Sequence, residues 1–482
     1  AGVLLAASTA LSAAPWLEPG DARARHSLQK LADRGHYDKG VTTWPVMWAD
    51  IDSGVSNSVA ADAGAVGSQA AYLNFEREQW GSPGARFEIQ ASGSTEATSI
   101  RGFASHPREK GELSVNFQWQ GEYVALGVKP TLVANASDDE TLRLDGSYLA
   151  ATPGNWVVGA GAIERWWGPG WQSAMVLSTN ARPMPAVWLN RKDTSAPESD
   201  WLKWIGPWNL TVFAGEMEEE RIVSDIRLVG MRLNLRPIQG LDLGFTRAIM
   251  FGGEGYPGGF STFWDAFIGK DNSYDGSDPG NQIGAIDIRY GFPVGEQSMS
   301  VYMEMMGEDE AGYIPSRKSW LFGVDWTSQL LGADQQWFFE FTNTLADDIV
   351  GDAIPNYAYS HFRYKTGYQY YGRNMGSTFD GDAEALTAGL FHFLPDGSNV
   401  SLALTYADLN NDGGNRVSQP DNDIFYFAPD GAQKVAIVKA GYGTEVLKGW
   451  LDLNLQATDK KIELLGGEQD QWTASASWTY RF

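Results

Sequence analysis

From residue 85 to the C-terminus, apolar and polar side chains alternate along the sequence with a period of two. About eighteen short segments follow this pattern, and many are separated by glycine-containing turn signals. Clear examples are residues 87–91, 115–119, 241–245, 320–326 and 472–482. A period of two is typical of strands with one apolar face. The pattern predicts an all-β protein and leaves open what covers that face.

Two architectures cover an apolar strand face: the core of a soluble sandwich or propeller, or the lipid around a membrane barrel. The C-terminal segment WTASASWTYRF favours the barrel. One of its faces carries Trp472, Ala474, Ala476, Trp478, Tyr480 and Phe482. Aromatic rings at both ends of a strand suit the two lipid–water interfaces, whereas a soluble edge strand this aromatic would promote aggregation. We therefore predict a transmembrane β-barrel.

The barrel's expected size follows from the length of the alternating region. Roughly 400 residues, at about 20–22 per strand with its connection, predict about 18 antiparallel strands. A barrel of that size encloses an aqueous lumen. We therefore expect loops to fill and close it.

The N-terminal part of the chain has a different pattern. Residues 1–14 resemble the apolar core and cleavage region of a secretory signal, although an ordinary N-terminal strand or helix is the alternative. Residues 15–84 are expected to form a small helical N-terminal portion, and residues 85–482 the barrel. Asp21 as N-cap and Gly35 as a stop predict one short helix, and an alanine-rich stretch predicts a second at about 59–80.

Charge and composition exclude several classes of function. The formal charge of −24 argues against nucleic acid as a partner. The chain has no cysteine, and its five histidines form no zinc motif. The GxGxxG at 253–258 lacks a βαβ context, and the acidic segment 408–413 lacks the final glutamate of a calcium loop. We expect neither a metal nor a cofactor.

The segment RWWGPG (165–170), followed by RPMP (182–185), gathers indoles and charges on a proline-broken loop. Indoles stack on sugar rings, but such a loop also suits a plug wedged into the lumen. We assign Trp166 and Trp167 to wedging, and expect Arg165 and Arg182 to pair with carboxylates of other loops. The residues assigned to this plug and its charge clamp are Arg165, Trp166, Trp167, Arg182, Glu254, Asp265, Glu308 and Asp309.

Several of these motifs together resemble the Wzi-type capsule-assembly outer-membrane lectin family. They are LADRGHYDKGVTTWP, RWWGPG, RPMP, WLKWIGPW, GGEG with FSTFWDAF, and GEDEAGYIPS, in order between about Leu31 and Phe482. The resemblance implies an eighteen-stranded barrel with a small periplasmic helical portion and a lumen closed by loops. It also implies a non-enzymatic role in holding capsular polysaccharide at the cell surface.

The sugar site itself is predicted on a later loop, which matches none of those motifs. This loop combines tyrosines with cations that an acidic polysaccharide would require. The residues assigned to it are Tyr364, Lys365, Tyr368, Tyr370, Tyr371 and Arg373. The alternative is that these rings belong to an aromatic girdle at the membrane interface.

The leading functional hypothesis is a monomeric, non-catalytic surface lectin whose partners are capsular or extracellular polysaccharide and outer-membrane lipid. A plugged porin that passes saccharides or cations is the alternative from another class. An outer-membrane glycosidase is a third, because Glu308, Asp309 and Glu310 are clustered. Two catalytic carboxylates must face each other across a bond, which neighbours on one strand end do not ensure.

The barrel hypothesis makes a direct prediction about location. The protein should fractionate with outer membranes, run as a heat-modifiable band and give a β-rich circular dichroism spectrum. Its recovery as a soluble periplasmic protein would instead support a sandwich or propeller.

Overall fold

A computed structural model describes residues 16–55, 57–81, 84–104, 106–268, 280–310, 315–414 and 417–482. Its main element is a closed antiparallel barrel of eighteen strands, two of which are interrupted. The strands are β1 Gly84–Ser94, β2 Gly111–Gln120, β3 Val124–Val128 with Thr131–Ala134, β4 Leu142–Arg143 with Tyr148–Ala151, β5 Trp156–Gly161, β6 Ala186–Arg191, β7 Trp208–Glu216, β8 Ile226–Ile238, β9 Leu241–Gly252, β10 Gly280–Val294, β11 Gln297–Glu310, β12 Pro315–Leu330, β13 Ala333–Asn343, β14 Glu384–Phe393, β15 Asn399–Leu409, β16 Gln433–Val446, β17 Gly449–Thr458 and β18 Trp472–Arg481. The predicted signal remnant lies outside the described residues.

The barrel closes where β18 pairs with β1, in a register from Ser475 opposite Ser94 to Arg481 opposite Glu88. One mouth has tight turns, such as residues 239–240 and 447–448, and the other has long loops, such as residues 162–185 and 344–383. Outer-membrane barrels place short turns in the periplasm and long loops at the cell surface. We assign the two mouths accordingly.

The predicted alternation of faces is confirmed on these strands. On β9, Leu243 and Phe245 point outward, whereas Asp242 is 0% exposed on the lumen side. On β18, Trp472 is 63% exposed at the outer face. The apolar face of the barrel is therefore the lipid face, and the polar side chains line the lumen.

Within the described ranges, four α-helices accompany the barrel: α1 Ala22–Asp33, α2 Trp48–Gly54, α3 Ala63–Trp80 and α4 Phe260–Phe267. Short 3₁₀ turns cover Asn57–Asp62 and Lys203–Ile205. The predicted N-cap of α1 is confirmed, since the Asp21 carboxylate accepts hydrogen bonds from the backbone N–H groups of Arg23 and Ala24. Among the described helices, none is both long and apolar enough to cross a membrane.

Helix α1 lies against the lumen wall near the periplasmic mouth and is fixed there by buried charges. Asp33, at its end, accepts two hydrogen bonds from the Arg289 guanidinium of β10, at 2.6 and 2.8 Å. Arg236 of β8 donates to the carbonyl of Ala32 at 3.0 Å. The wall thus supplies the charges that hold the helix in place.

The segment that follows α1 is held in the same way. Arg232 of β8 donates to the carbonyl of Thr42 at 3.1 Å and also forms a bidentate pair with Asp287 of β10. Arg232 and Asp287 are 1% and 0% exposed. The buried Arg232–Asp287 ion pair therefore helps to hold the N-terminal segment inside the barrel.

The Arg289–Asp33 contact predicts how strongly the N-terminal portion is held. Asp33→Ala leaves a buried guanidinium without its main partner, which should destabilise this portion by about 3–5 kcal/mol. The measurement is protease cleavage within residues 16–81 of the purified barrel, expected to become much faster. Asp200→Ala, which removes the exposed partner of Lys203, is the matched control and should leave cleavage unchanged. Equal protection of parent and Asp33→Ala protein would contradict the assignment.

Candidate functional site

The proline-broken loop 162–185 begins at the cell-surface mouth and fills part of the lumen. Trp166–Trp167 forms a short antiparallel ladder with Thr43–Trp44 of the N-terminal segment. Both indoles are 1% exposed. The structure thus places Trp166 and Trp167 in the interior, where a loop from one mouth meets a segment from the other.

A carboxylate on the barrel wall holds the next turn of this loop. Glu340 of β13 accepts hydrogen bonds from the backbone N–H groups of Trp171, Gln172 and Ser173, at 2.7, 3.3 and 2.9 Å. Its side chain is 1% exposed. Three converging N–H groups stabilise a buried carboxylate. This contact defines the position of the loop in the lumen.

The glycines of RWWGPG are required by this close approach. A Cβ atom on Gly170 would lie 2.1 Å from the carbonyl oxygen of Ser173. Gly168 has a φ of 135°, and a Cβ atom there would lie 2.6 Å from the Glu304 carboxylate. Only glycine permits the backbone to turn this close to the wall. This accounts for indoles and glycines in the same short stretch.

Arg25 of helix α1 joins the loop to the N-terminal portion. Its guanidinium lies 4.4 Å from the Phe103 ring centroid and 4.1 Å from that of Trp171. It also donates to the carbonyls of Pro169 and Gly170, at 2.5 and 2.9 Å. Burial lowers the Arg25 pKa to about 10. Sequence analysis did not assign Arg25, which lies outside the loop motif.

The expected pairing of Arg165 and Arg182 with Glu254, Asp265 or Asp309 is not found among the described side chains. Arg165 lies 4.7 Å from the Phe213 ring centroid and donates to the carbonyl of Ile163 at 3.2 Å. Burial lowers its pKa to about 9.

Arg182 pairs with different carboxylates. It forms a bidentate contact with Asp145, at 3.0 and 2.9 Å, and a third hydrogen bond to Asp138 at 2.7 Å. These contacts and the nearby charges of Asp145 and Asp138 raise its pKa against the opposing effect of burial. Arg182 therefore does form a charge clamp, but its carboxylate partners are Asp138 and Asp145, which lie on either side of the short strand segment Leu142–Arg143.

The acids proposed for the clamp have other positions. Glu254 is exposed beside Ser224, at a hydroxyl–carboxylate distance of 3.4 Å. Asp265 lies on α4, which packs against outward-facing side chains such as Phe251 and Val229. Glu308 is 5% exposed and accepts a hydrogen bond from the Tyr359 backbone. Asp309 has a side chain outside the described part. Neither Glu254 nor Asp265 reaches the lumen.

Four of the six predicted sugar-binding side chains are buried, which corrects the expectation of an exposed loop. The exposed fractions of Tyr364, Tyr368, Tyr370 and Arg373 are 1%, 1%, 4% and 3%. Arg373 lies 3.4 Å from the Phe427 ring centroid and donates to the carbonyl of Thr98 at 2.8 Å. Burial lowers its pKa to about 9. These side chains are packed into the cap formed by the surface loops.

The other two differ in exposure. Lys365 is exposed, and Tyr371 is half-buried with the Arg182 guanidinium 4.8 Å from its ring centroid. Of the six side chains predicted to bind sugar, only Lys365 and Tyr371 therefore reach the surface.

Next to Lys365 lies a set of exposed and half-buried residues that sequence analysis did not assign. Phe362 is 72% exposed and Tyr256 is 37% exposed. The Arg363 guanidinium lies between them, 4.8 Å from the Tyr256 centroid and 5.6 Å from that of Phe362. The His361 ring packs on Phe362 at 4.6 Å. We call Tyr256, His361, Phe362, Arg363 and Lys365 the basic aromatic patch.

Buried contacts beneath the patch fix its backbone. Arg221, which forms an ion pair with Glu218, donates to the carbonyls of Gly367 and Gln369 at 2.9 and 2.7 Å. The Tyr364 hydroxyl donates to the carbonyl of Gly252 at 2.9 Å. A loop fixed in this way displays its surface side chains in a set geometry. In the sequence, the basic residues within HFRYK (361–365) were the signal that could have indicated this patch.

Comparison with known proteins gives the same architecture. A family model described as "Capsule assembly protein Wzi" matches residues 83–474. The chain belongs to the Wzi capsule-assembly family. The resemblance predicted from the loop motifs is thereby confirmed, and so is the outer-membrane location of the barrel.

Two relatives illustrate the similarity. An "Uncharacterized 55.8 kDa protein in cps region" of Klebsiella pneumoniae is 30% identical over 331 residues, which are 67% of this chain and 64% of the relative. The solved structure of Wzi from Escherichia coli, described as an outer-membrane protein involved in group 1 capsule assembly and a carbohydrate-binding β-barrel, has a TM-score of 0.83. It is 24% identical, over 97% of this chain and 99% of that one.

From the Glu340 contact we predict that this carboxylate keeps the lumen of this barrel closed. Glu340→Ala leaves three N–H groups without their acceptor, at a cost of about 1–3 kcal/mol for each buried group. The loop should loosen, and the variant should conduct ions in planar bilayers where the parent does not.

Glu122→Ala, in an exposed periplasmic turn, is the control and should behave as the parent. A silent bilayer trace from correctly folded, inserted Glu340→Ala barrels would show that Glu340 does not hold the plug.

Proposed function

We propose that this protein is a non-catalytic outer-membrane lectin that holds capsular polysaccharide at the cell surface through the basic aromatic patch. Membership of the Wzi family supports the general role. The arrangement of Arg363 between the Tyr256 and Phe362 rings, on a loop fixed from below, supports the location. That arrangement is the observation on which the proposal mainly depends.

The side chains of the patch suit an acidic sugar chain. Exposed aromatic rings stack on the C–H faces of sugar rings, and guanidinium groups form paired hydrogen bonds with uronate carboxylates. The protein as a whole carries a charge of −24 and repels an anionic polymer at long range. Local cations such as Arg363 and Lys365 offset that repulsion at the point of contact.

The two other classes of function have less support. Transport through the lumen requires displacement of the loop held by Glu340 and Arg25. Hydrolysis requires a pair of carboxylates across the scissile bond, whereas Glu308 is buried and binds the Tyr359 backbone. We therefore infer binding without catalysis.

The proposal predicts the effect of removing the two cations. Arg363→Gln with Lys365→Gln should lower retention of acidic capsular polysaccharide several-fold and reduce the salt dependence of binding, because fewer charged contacts remain. Binding of purified capsular polysaccharide to the detergent-solubilised barrel, at two salt concentrations, measures both effects. Heat-modifiability should stay as in the parent.

Lys460→Gln provides a matched control, because it removes an exposed cation from the 459–471 loop. It should retain polysaccharide as the parent does. Equal loss in the control and the double variant would indicate a general charge effect, and normal binding by the double variant would exclude the patch. Phe362→Ala tests the stacking contribution separately and should lower affinity at both salt concentrations.

A further inference from the structure

The two halves of the lumen wall differ in how completely they are covered. On β8 to β13, the mid-strand lumen side chains are sealed by the plug and the N-terminal portion. Representative exposed fractions are 0% for Asp287, Ser300, Glu304 and Ser319, and 1% for Glu340. On β15 to β18 and β1, several mid-strand lumen side chains remain partly exposed, including Ser401, Asn454, Ser475 and Gln90. Solvent-sized space therefore remains against this half of the wall.

The side chains along this space follow one strand in a regular order. On β17, Trp450, Asp452, Asn454 and Gln456 point into the lumen, and the leucines between them point outward. The Trp450 indole N–H donates to Asp452 at 3.0 Å. Ser475 on β18 lies directly opposite Asn454. We call the space lined by Ser401, Trp450, Asp452, Asn454, Gln456 and Ser475 the vestibule.

The vestibule is closed at its cell-surface end. There Gln456, Thr458 and Thr473 are 5%, 8% and 4% exposed beneath the surface loops. The Lys439 ammonium, on the strand beside Gln456, donates to the carbonyl of Ile100 at 2.6 Å. At the periplasmic end of the same wall, Glu445 is exposed. Arg481 pairs with Glu88 at 3.1 Å and with Glu76 of α3 at 3.6 Å, so that α3 covers part of this end, but its side chain is still 48% exposed. The space therefore opens toward the periplasm.

The blind end carries polar atoms that no described residue satisfies. Neither amide atom of Gln456 has a hydrogen-bond partner among the described residues, although the side chain is 95% buried within the barrel. Farther along the wall, the hydroxyl of Ser92 on β1 is also unpartnered within the described part; it lies opposite Ser477, in the register of Asp452 rather than Gln456. Buried amide and hydroxyl groups are normally hydrogen-bonded, by protein, water or ligand.

We propose that the vestibule is a second binding site, which takes a hydroxyl-rich saccharide segment from the periplasmic side. An indole, a carboxylate, two amides and two hydroxyls in one open-ended space match the donors, acceptors and C–H faces of a sugar chain. The class of ligand rests on the proposed function, but the site is separate from the basic aromatic patch. An experiment can therefore contradict one of the two proposed sites without contradicting the other.

Thiol accessibility tests the space itself, because the chain has no native cysteine. Ser475→Cys and Ser401→Cys place near-isosteric thiols in the vestibule. Ser300→Cys and Ser319→Cys place the same thiol at sealed positions of the opposite wall. A hydrophilic maleimide should label the first pair rapidly and the second pair very slowly in the purified barrel. Equally slow labelling of all four cysteine variants would contradict the existence of the vestibule.

The direction of opening has its own measurement. A hydrophilic maleimide too large for general porins should leave Ser475→Cys unlabelled on intact cells and should label it once the periplasmic side is opened. Labelling on intact cells would place the opening at the surface and contradict the proposal.

Saccharide protection tests the ligand class. Short neutral oligosaccharides from dextran should slow labelling of Ser475→Cys several-fold, whereas polyethylene glycol of similar size should not. Adding Trp450→Leu should remove the protection, and the control Trp472→Leu, which changes an outward-facing indole, should preserve it. Rapid labelling that no saccharide slows would overturn the binding site. Loss of capsule binding by the patch variants would not affect this result.

Discussion

The structure depends on the burial of charged and polar wall residues in a lumen too wide to fill with their own side chains. Arg232, Arg289 and Glu340 are almost fully buried, and each is satisfied partly by groups from outside the wall. An unpaired buried charge is costly, so these residues strongly favour the N-terminal segment and the plug loop inside the barrel. The plug is therefore a consequence of how the wall is charged.

This arrangement links the two mouths of the barrel. Arg25, on a helix near the periplasmic mouth, holds the carbonyls of Pro169 and Gly170, on a loop that begins at the surface. The surface loops pack on that plug through contacts such as that of the Ser178 N–H with the Met375 carbonyl, at 2.8 Å. A cap supported from below needs little reordering to bind a polymer, which lowers the entropic cost of binding.

Sequence patterning predicted most of the fold because the side-chain period and the aromatic C-terminal strand are local properties. The partners of Arg182 were not predictable, since Asp138 and Asp145 become its neighbours only through the folding of several loops. The tyrosines at 364–371 were expected at the surface, because no local pattern distinguishes a packed loop from an exposed one. Arg25 and the vestibule were missed for the same reason, as both depend on contacts far apart in sequence.

Backbone hydrogen exchange, with and without purified capsular polysaccharide, tests the central claim that a fixed plug supports a sugar-binding cap. Amides of residues 171–173 should exchange slowly in both states, because Glu340 and the lumen protect them. Added polysaccharide should slow exchange selectively at residues 361–366. Fast exchange of the 171–173 amides in the folded barrel, or no change at 361–366 under saturating polysaccharide, would contradict this account.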